Sequence, residues 1–248
     1  MEPIRWQVEE FENIDSTNTW LKAAAADGAP EGRVAKADFQ TAGRGRLDRT
    51  WEAPPRSALL VSLLLRPPLT DENRYLATAL VALSARAALV RLSGVRPHLK
   101  WPNDLVVDDV KIAGILAEFV PASSGPGAVI VGLGCNLSAH PDVVASTDVM
   151  ALSGVRLDPR SVLDVLLEEV EQRRDDLDSD DGRARLRLEL RDAMSTLGRR
   201  VRVERPRDTF TGIAIDVDDT GRLVVDGPEG REAVSVGDIV HLRLEDQG

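Results

Sequence analysis

The sequence is short of the residues that would fasten a fold covalently or draw it to nucleic acid. Among 248 residues it holds one cysteine, Cys135, so no intramolecular disulfide can form. Stability must then come from buried apolar surface, and a chain of this length removes roughly 70–75% of its unfolded surface from water. Positive charge is also short. Lysine and arginine number 31 against 41 acidic residues, a formal net charge of −10. Non-specific nucleic-acid binding draws its affinity from basic side chains on phosphates, so a chain this acidic is a poor candidate for it and no DNA partner is expected. No basic region leads into an apolar stretch at the N-terminus, which argues against a secretory signal. No run of 18 apolar residues occurs, which argues against a transmembrane helix and a membrane partner. The expected compartment is the cytoplasm.

Lysine is scarce even within the basic set: Lys22, Lys36, Lys100 and Lys111 are all there are. The length suits one large domain, or a medium one with a small one. Residues 4–11 alternate and predict an opening strand. Asp15-Ser-Thr-Asn18 starts a helix that stops at Asp27-Gly28. Residues 33–39 predict a strand, 40–55 a loop with Gly43, Gly45, Pro54 and Pro55, and 57–66 a buried strand. Thr70 is placed to cap a long helix ending near Gly94. Residues 97–120 predict two or three strands with a tight turn at Asp108-Asp109, and 128–137 another buried strand. Asp158-Pro159 reads as a cap with proline at the first helical position. The helical region it opens runs to about Ser195, broken by the acidic stretch Asp175 to Asp181, a solvated break.

After Leu197-Gly198 the texture changes to short alternating segments at 201–203, 210–213, 223–225, 233–236 and 239–244, separated by Asp/Gly turns. The expected fold class is α+β: a mixed sheet with helices over residues 1–196, then a small SH3-like β-barrel over 197–248.

Four segments carry polar chemistry. Asp15-Ser16-Thr17-Asn18 is a helix N-cap, and a helix N-terminus with free N–H groups also suits an anion or a polar head group. In Gln40-Thr-Ala-Gly43-Arg44-Gly45-Arg46-Leu-Asp48-Arg49-Thr-Trp51, two glycines let the backbone approach a ligand. Its three arginines suit phosphate or carboxylate, and Trp51 offers a flat face for a purine. The third glycine of a dinucleotide fingerprint would fall at Asp48 and is missing, and no Walker lysine follows; a solvated basic loop is the plainer alternative. Lys100-Trp-Pro-Asn103-Asp104 and Lys111-Ile-Ala-Gly114 place two lysines on what read as neighbouring strands. Lys111 lies between apolar runs, where a lysine is costly unless an anion meets it. Gly132-Leu-Gly-Cys-Asn136 reads as a strand ending in a glycine turn, or as backbone passing close to a ligand with the Asn136 amide offered to a nucleobase edge.

Taken together, in this order and at these distances, the segments resemble the motif set of biotin–protein ligases. The resemblance is dense from about residue 13 to 140. It continues into the β module, where Gly212-Ile213 and Val236-Gly-Asp238 match in style. Asp48 departs from the family's third glycine. The first motif begins at residue 15, so the N-terminal DNA-binding domain of larger members is not expected. The resemblance implies a class II synthetase-like catalytic domain that joins biotin to AMP with ATP and Mg²⁺, then transfers it to a lysine of a biotin carboxyl carrier domain of a carboxylase. Lys111 and Arg46 would bridge the biotin carboxylate and the α-phosphate, with Arg44 and Arg49 on nucleotide phosphates. Ser16, Thr17 and Gln40 would face the ureido ring, with Asn18, Gly43, Gly45 and Gly114 around biotin. Trp51 would cover adenine, with Asn103 and Asn136 at the nucleotide. Asp104 would orient or deprotonate the acceptor lysine, unless it merely caps a turn. The metal ligands and the oligomeric state, a homodimer included, stay open. A lipoate–protein ligase and a non-catalytic small-molecule regulator are the alternatives, with a DNA-binding repressor the last of the three. The polar 40–51 loop is expected to order over the adenylate.

Overall fold

The structure, a computed structural model, describes residues 3–47, 49–122, 125–141, 146–205 and 208–235, and the backbone of 241–244. Its framework grows from the most apolar stretch of the chain. Ala58–Leu65 forms strand β3, buried along its whole length. β1 (Gln7–Ile14), β2 (Arg33–Gln40), β4 (His98–Lys100), β5 (Asp104–Val107), β6 (Val110–Val120) and β7 (Ala128–Asn136) complete a seven-stranded sheet in the order β1-β2-β3-β7-β6-β5-β4. β1 and β2 run parallel, as expected of strands joined by a crossover helix, and the other neighbours are antiparallel.

Each face of this sheet has its own cover. α1 (Thr17–Ala26) lies on one face, where Leu21 and Ala25 meet Leu64 and Ile130. On the other, Leu59, Val61, Leu63, Val131, Leu133 and Ile115 belong to the main core beneath α2 (Tyr75–Ser93) and α4 (Pro159–Arg174). By length and composition alone α2 could cross a membrane, but it is the central core helix here, packed on α4 and the sheet. Cys135 is buried on this side, and burial pushes its thiol pKa up to about 12.

Local signals explain most of the boundaries. Ser16 caps α1 and Asp158 caps α4 with Pro159 behind it. Asp108 and Asp109 take φ of 50° and 64° between paired Val107 and Val110, the double left-handed turn that a two-residue hairpin requires. Three expectations need correction. α2 begins at Tyr75, because Thr70 closes a turn of its own: the Asn73 N–H donates to the Thr70 carbonyl. β5 separates the strands bearing Lys100 and Lys111, so these are not neighbours. The acidic stretch does break the helical region, with Asp175, Asp180 and Asp181 exposed, but it is more than solvated chain: it forms a 3-10 turn, Asp175–Asp178, whose Asp176 and Asp178 pair with Arg185 and Arg174. Ser179 then caps α5 (Asp180–Ala193). A short helix, α3 (Val149–Ser153), capped by Asp148, was not anticipated.

β8 (Arg200–Glu204), β9 (Thr209–Val217), β10 (Leu223–Gly227), β11 (Gly230–Val234) and β12 (His241–Leu244) form the second sheet, in the order β11-β10-β9-β8-β12. This agrees with the expected α+β class and small β module. Val236-Gly-Asp238 lies outside the described residues. The second sheet leans on the first through Trp101, whose Nε1 donates to the Gly221 carbonyl at 3.1 Å. Arg191 donates to the Val217 carbonyl at 2.7 Å.

The buried Arg174 joins Glu31 (2.7 Å) and Asp178 (2.8 Å) across the helical layer. Arg174→Ala is expected to cost about 2–3 kcal/mol, below the roughly 3–5 typical of fully buried pairs, because Glu31 and Asp178 keep 24% and 20% of their side-chain surface exposed. Chemical denaturation measures this; an unchanged midpoint would show that the triad adds nothing.

Candidate active site

The tip of α1 is tied into a polar network. Ser16 Oγ accepts from the Thr19 N–H. Thr17 donates to Gln40 Oε1 twice, from its backbone N–H (2.8 Å) and its hydroxyl (3.0 Å). Ser62, the polar member of apolar β3, sets its Oγ 2.7 Å from Thr17 Oγ1 and 2.6 Å from Asn18 Oδ1. Asn18 donates from Nδ2 to the Leu116 carbonyl (3.2 Å) and to Glu118 Oε2 (2.9 Å). A Cβ on Gly132 would stand 2.3 Å from Asn18 Oδ1, so any side chain there would displace the Asn18 amide.

The basic segment after β2 closes on itself. The Gly45 N–H donates to the Arg49 carbonyl (2.6 Å), the Trp51 N–H to that of Gly43 (2.9 Å), and Arg44 bridges to Thr50. A Cβ on Gly43 would stand 2.4 Å from the Trp51 carbonyl oxygen. Leu47, at φ 54°, is exposed; Asp48 lies outside the described residues. Arg44 turns to Glu118, Nη2 to Oε2 at 2.6 Å. Arg46 is half-buried, its Nη1 3.4 Å from Asn103 Oδ1. Burial and the nearby Arg49 lower its pKa, against the pull of Asp104.

Lys111 meets the anion that its position demanded: Nζ lies 2.7 Å from Asp104 Oδ1. Asn103 is spent on the sheet edge, donating from Nδ2 to the Ile115 carbonyl (2.7 Å) and accepting the Ile115 N–H at its own carbonyl (2.9 Å). Lys111 Nζ also stands 5.4 Å from the Trp51 ring centroid. That ring lies on a ledge made by Gly114 and Gly134, paired across β6 and β7: a Cβ on Gly134 would come 2.4 Å from Trp51 Cε2 and one on Gly114 3.0 Å from Cζ3.

A cavity of about 290 Å³ gathers Ser16, Thr17, Asn18, Gln40, loop residues 44–47 and 49–51, Asp104, Lys111, Gly114 and Gly132. A larger one of about 820 Å³ adjoins it, sharing the loop and residues 100–104, and is walled by Tyr75, Ala79, Ala82 and Met194. Fourteen of the fifteen expected site residues, Gly43 in the larger cavity, line one or both. Asn136 lines neither: its Nδ2 donates to the Thr147 carbonyl at 3.1 Å, and its buried Oδ1 has no hydrogen-bond partner among the described residues. Sequence reasoning missed Ser62 and Glu118. Each is a polar residue on an otherwise apolar strand, the signal that singled out Lys111.

Glu118 collects Lys22 on Oε1 (2.7 Å) as well as Arg44 and Asn18 on Oε2. Burial raises its pKa, but hydrogen bonds from Lys22 and Asn18 and the charges of Arg44 and Lys22 outweigh this and hold it below the usual 4.5.

The family model for the biotin/lipoate A/B protein ligase family matches residues 10–136, and that for the biotin protein ligase C-terminal domain matches 196–242. The chain is 36% identical to the biotin–[acetyl-CoA-carboxylase] ligase of Mycobacterium tuberculosis, over 96% of this chain and 90% of that one. It is 32% identical to the enzyme of that name from Paracoccus denitrificans, covering 91% and 96%. The bifunctional ligase/repressor BirA of Bacillus subtilis is 29% identical over 91% of this chain and 71% of its own length. The fold matches that of the Aquifex aeolicus biotin protein ligase in complex with biotin and ATP, with a TM-score of 0.81, 24% identity, and coverage of 96% of this chain and 99% of that one.

Two outcomes follow from this geometry. Gly134→Ala should push the Trp51 ring from its ledge and shift tryptophan emission, a shift absent from a Trp51→Phe background; wild-type emission in Gly134→Ala would contradict the packing. A carboxylate with a lowered folded pKa stabilises the fold above its unfolded value, and that contribution is lost as pH falls through the folded one. Glu118→Gln should therefore destabilise the protein at pH 7, by an amount that shrinks below pH 4.5. A difference equal at pH 7 and pH 3 would refute the linkage.

Proposed function

The chain belongs to the biotin/lipoate A/B protein ligase family, and on that premise we propose that it is a biotin–protein ligase. It condenses biotin with ATP to biotinyl-5'-AMP, releasing pyrophosphate. It then transfers the biotinyl group to a lysine of a biotin carboxyl carrier protein, releasing AMP. The observation that carries this reading is one cavity with two chemically distinct ends. At one end Ser16, Thr17 and Gln40 present polar groups, with Thr17 backed by the buried Ser62. At the other, Lys111, Asp104 and Arg46 sit together beneath a basic loop. The first end suits a ureido ring, which has a carbonyl and two N–H groups to satisfy; the dithiolane of lipoate has neither.

In the first half-reaction a carboxylate oxygen attacks the α-phosphorus, and the bond to the bridging oxygen of pyrophosphate breaks. Two anions must meet, so preorganised cations in a water-poor site supply the largest stabilisation. Lys111 and Arg46 fill that role, with Arg49 on the phosphates. Trp51 covers the adenine. Asn136, which lines neither cavity and turns to Thr147, takes no part in reading it. Among the described residues no three His, Cys, Asp or Glu side chains converge. Mg²⁺ would enter on the triphosphate, as part of the substrate, because it is commonly bound through substrate phosphates and retained waters.

In the second half-reaction the acceptor lysine nitrogen attacks the mixed anhydride carbonyl and the C–O bond to AMP breaks. A free lysine is protonated at neutral pH. Asp104 would take its proton once Lys111 has turned to the phosphate. The catalytic unit spans residues 1–196 and the β module 197–248.

Pyrophosphate exchange into ATP with purified protein, with biotin and lipoate in parallel, tests the reading. Exchange with biotin alone is expected; exchange with lipoate alone would assign the other activity of the family, and none with either would leave a regulator. Asp104→Asn should slow transfer from preformed adenylate by about 100-fold, the low end of general-base effects, while exchange falls less. Transfer at the wild-type rate would remove Asp104 as the base.

A further inference from the structure

Glu118 stands where two parts of the site meet. It lies on the α1 face of β6, four residues past Gly114, the last β6 residue paired with β5. Oε1 takes Lys22 of α1, and Oε2 takes both Asn18 of α1 and Arg44 of the basic loop. Both amide hydrogens of Asn18 are thereby used, one on Glu118 and one on the Leu116 carbonyl. Its Oδ1 must face Ser62, in the space that Gly132 leaves clear. Ser62 reaches Thr17, and Thr17 holds Gln40 at the end of β2. The contacts run Arg44, Glu118, Asn18, Ser62, Thr17, Gln40 and return to the chain four residues before they began.

We propose that Glu118 is a positioning residue for biotin activation. Through Arg44 it fastens the base of the 40–51 loop to the sheet, and through Asn18 it orients the polar tip that receives the ureido ring. This rests on the reading of function above. Arg44 is then a structural cation, and phosphate binding falls to Arg46, Arg49 and Lys111. Loop closure and ring recognition share one carboxylate, so a change in either is felt by the other.

The test is a double-mutant cycle of Glu118→Gln and Arg44→Gln in the full chain. Limited proteolysis of the 40–51 loop is read without substrate, and pyrophosphate exchange is read against biotin concentration. Each single substitution should speed loop cleavage and raise the KM for biotin about tenfold, the size of a modest coupling between two parts of a site, with kcat moving much less. The double variant should be no worse than either single one, as for two partners of one interaction. Effects that multiply in the double variant, or singles with unchanged cleavage and KM, overturn the proposal. Should Glu118→Gln fail to fold, Arg44→Gln decides alone, since Arg44 is 40% exposed and its loss spares the contacts to α1. Absence of biotin-dependent exchange in the wild-type protein would sink the functional reading, while the cleavage cycle would still decide the latch.

Discussion

Gly114 and Gly134 face each other across β6 and β7, and on that side of the sheet neither raises a side chain. Gly132 continues the clearing one step along β7 toward α1. An antiparallel sheet can leave part of one face unpacked, and here the other face is filled by Ile115, Leu133 and Cys135 against the main core. The Trp51 ring takes that clearing, and the groups around it are each held in place. Trp51 is anchored by its own loop, Asn18 by Glu118 and Ser62, and Lys111 by Asp104. Filling any one of the glycines would force a bulky or polar neighbour to move, so the cavity depends on what those strands omit.

Charge is handled by a parallel rule. The chain is acidic overall, yet it brings Arg44, Arg46, Arg49, Lys100 and Lys111 around one cavity. Such concentration is costly without local anions. Asp104 answers Lys111 and draws on Arg46, while Glu118 answers Arg44 and Lys22. The acid residues of the site thus hold the cations in place before any phosphate arrives. Around it, a surface of the opposite sign sharpens the contrast in potential that a charged ligand meets.

Much of this was legible in the chain, where local physics and tertiary outcome agree. The strands at 33–40 and 58–65, the cap at Asp158 and the turn at Asp108-Asp109 follow from pattern and backbone preference alone. The site residues were legible because glycine, arginine and lysine stand out against apolar strands. What escaped depends on partners distant in sequence. Glu118 matters through Lys22 and Arg44, 96 and 74 residues away. Nothing local shows that Asn136 turns to Thr147, or that β5 comes between Lys100 and Lys111. The acidic stretch looked solvated because its arginine partners come from flanking helices.

Cys135 is sealed beneath the sheet, with its thiol pKa pushed up to about 12. The thiolate is the reactive form, so near neutral pH the native protein is almost blind to maleimides and to disulfide exchange. A cysteine placed at exposed Leu47 would then be the one that reacts. The fold comes with a silent background for a single dye at the tip of the basic loop, on which opening and closing can be watched one molecule at a time.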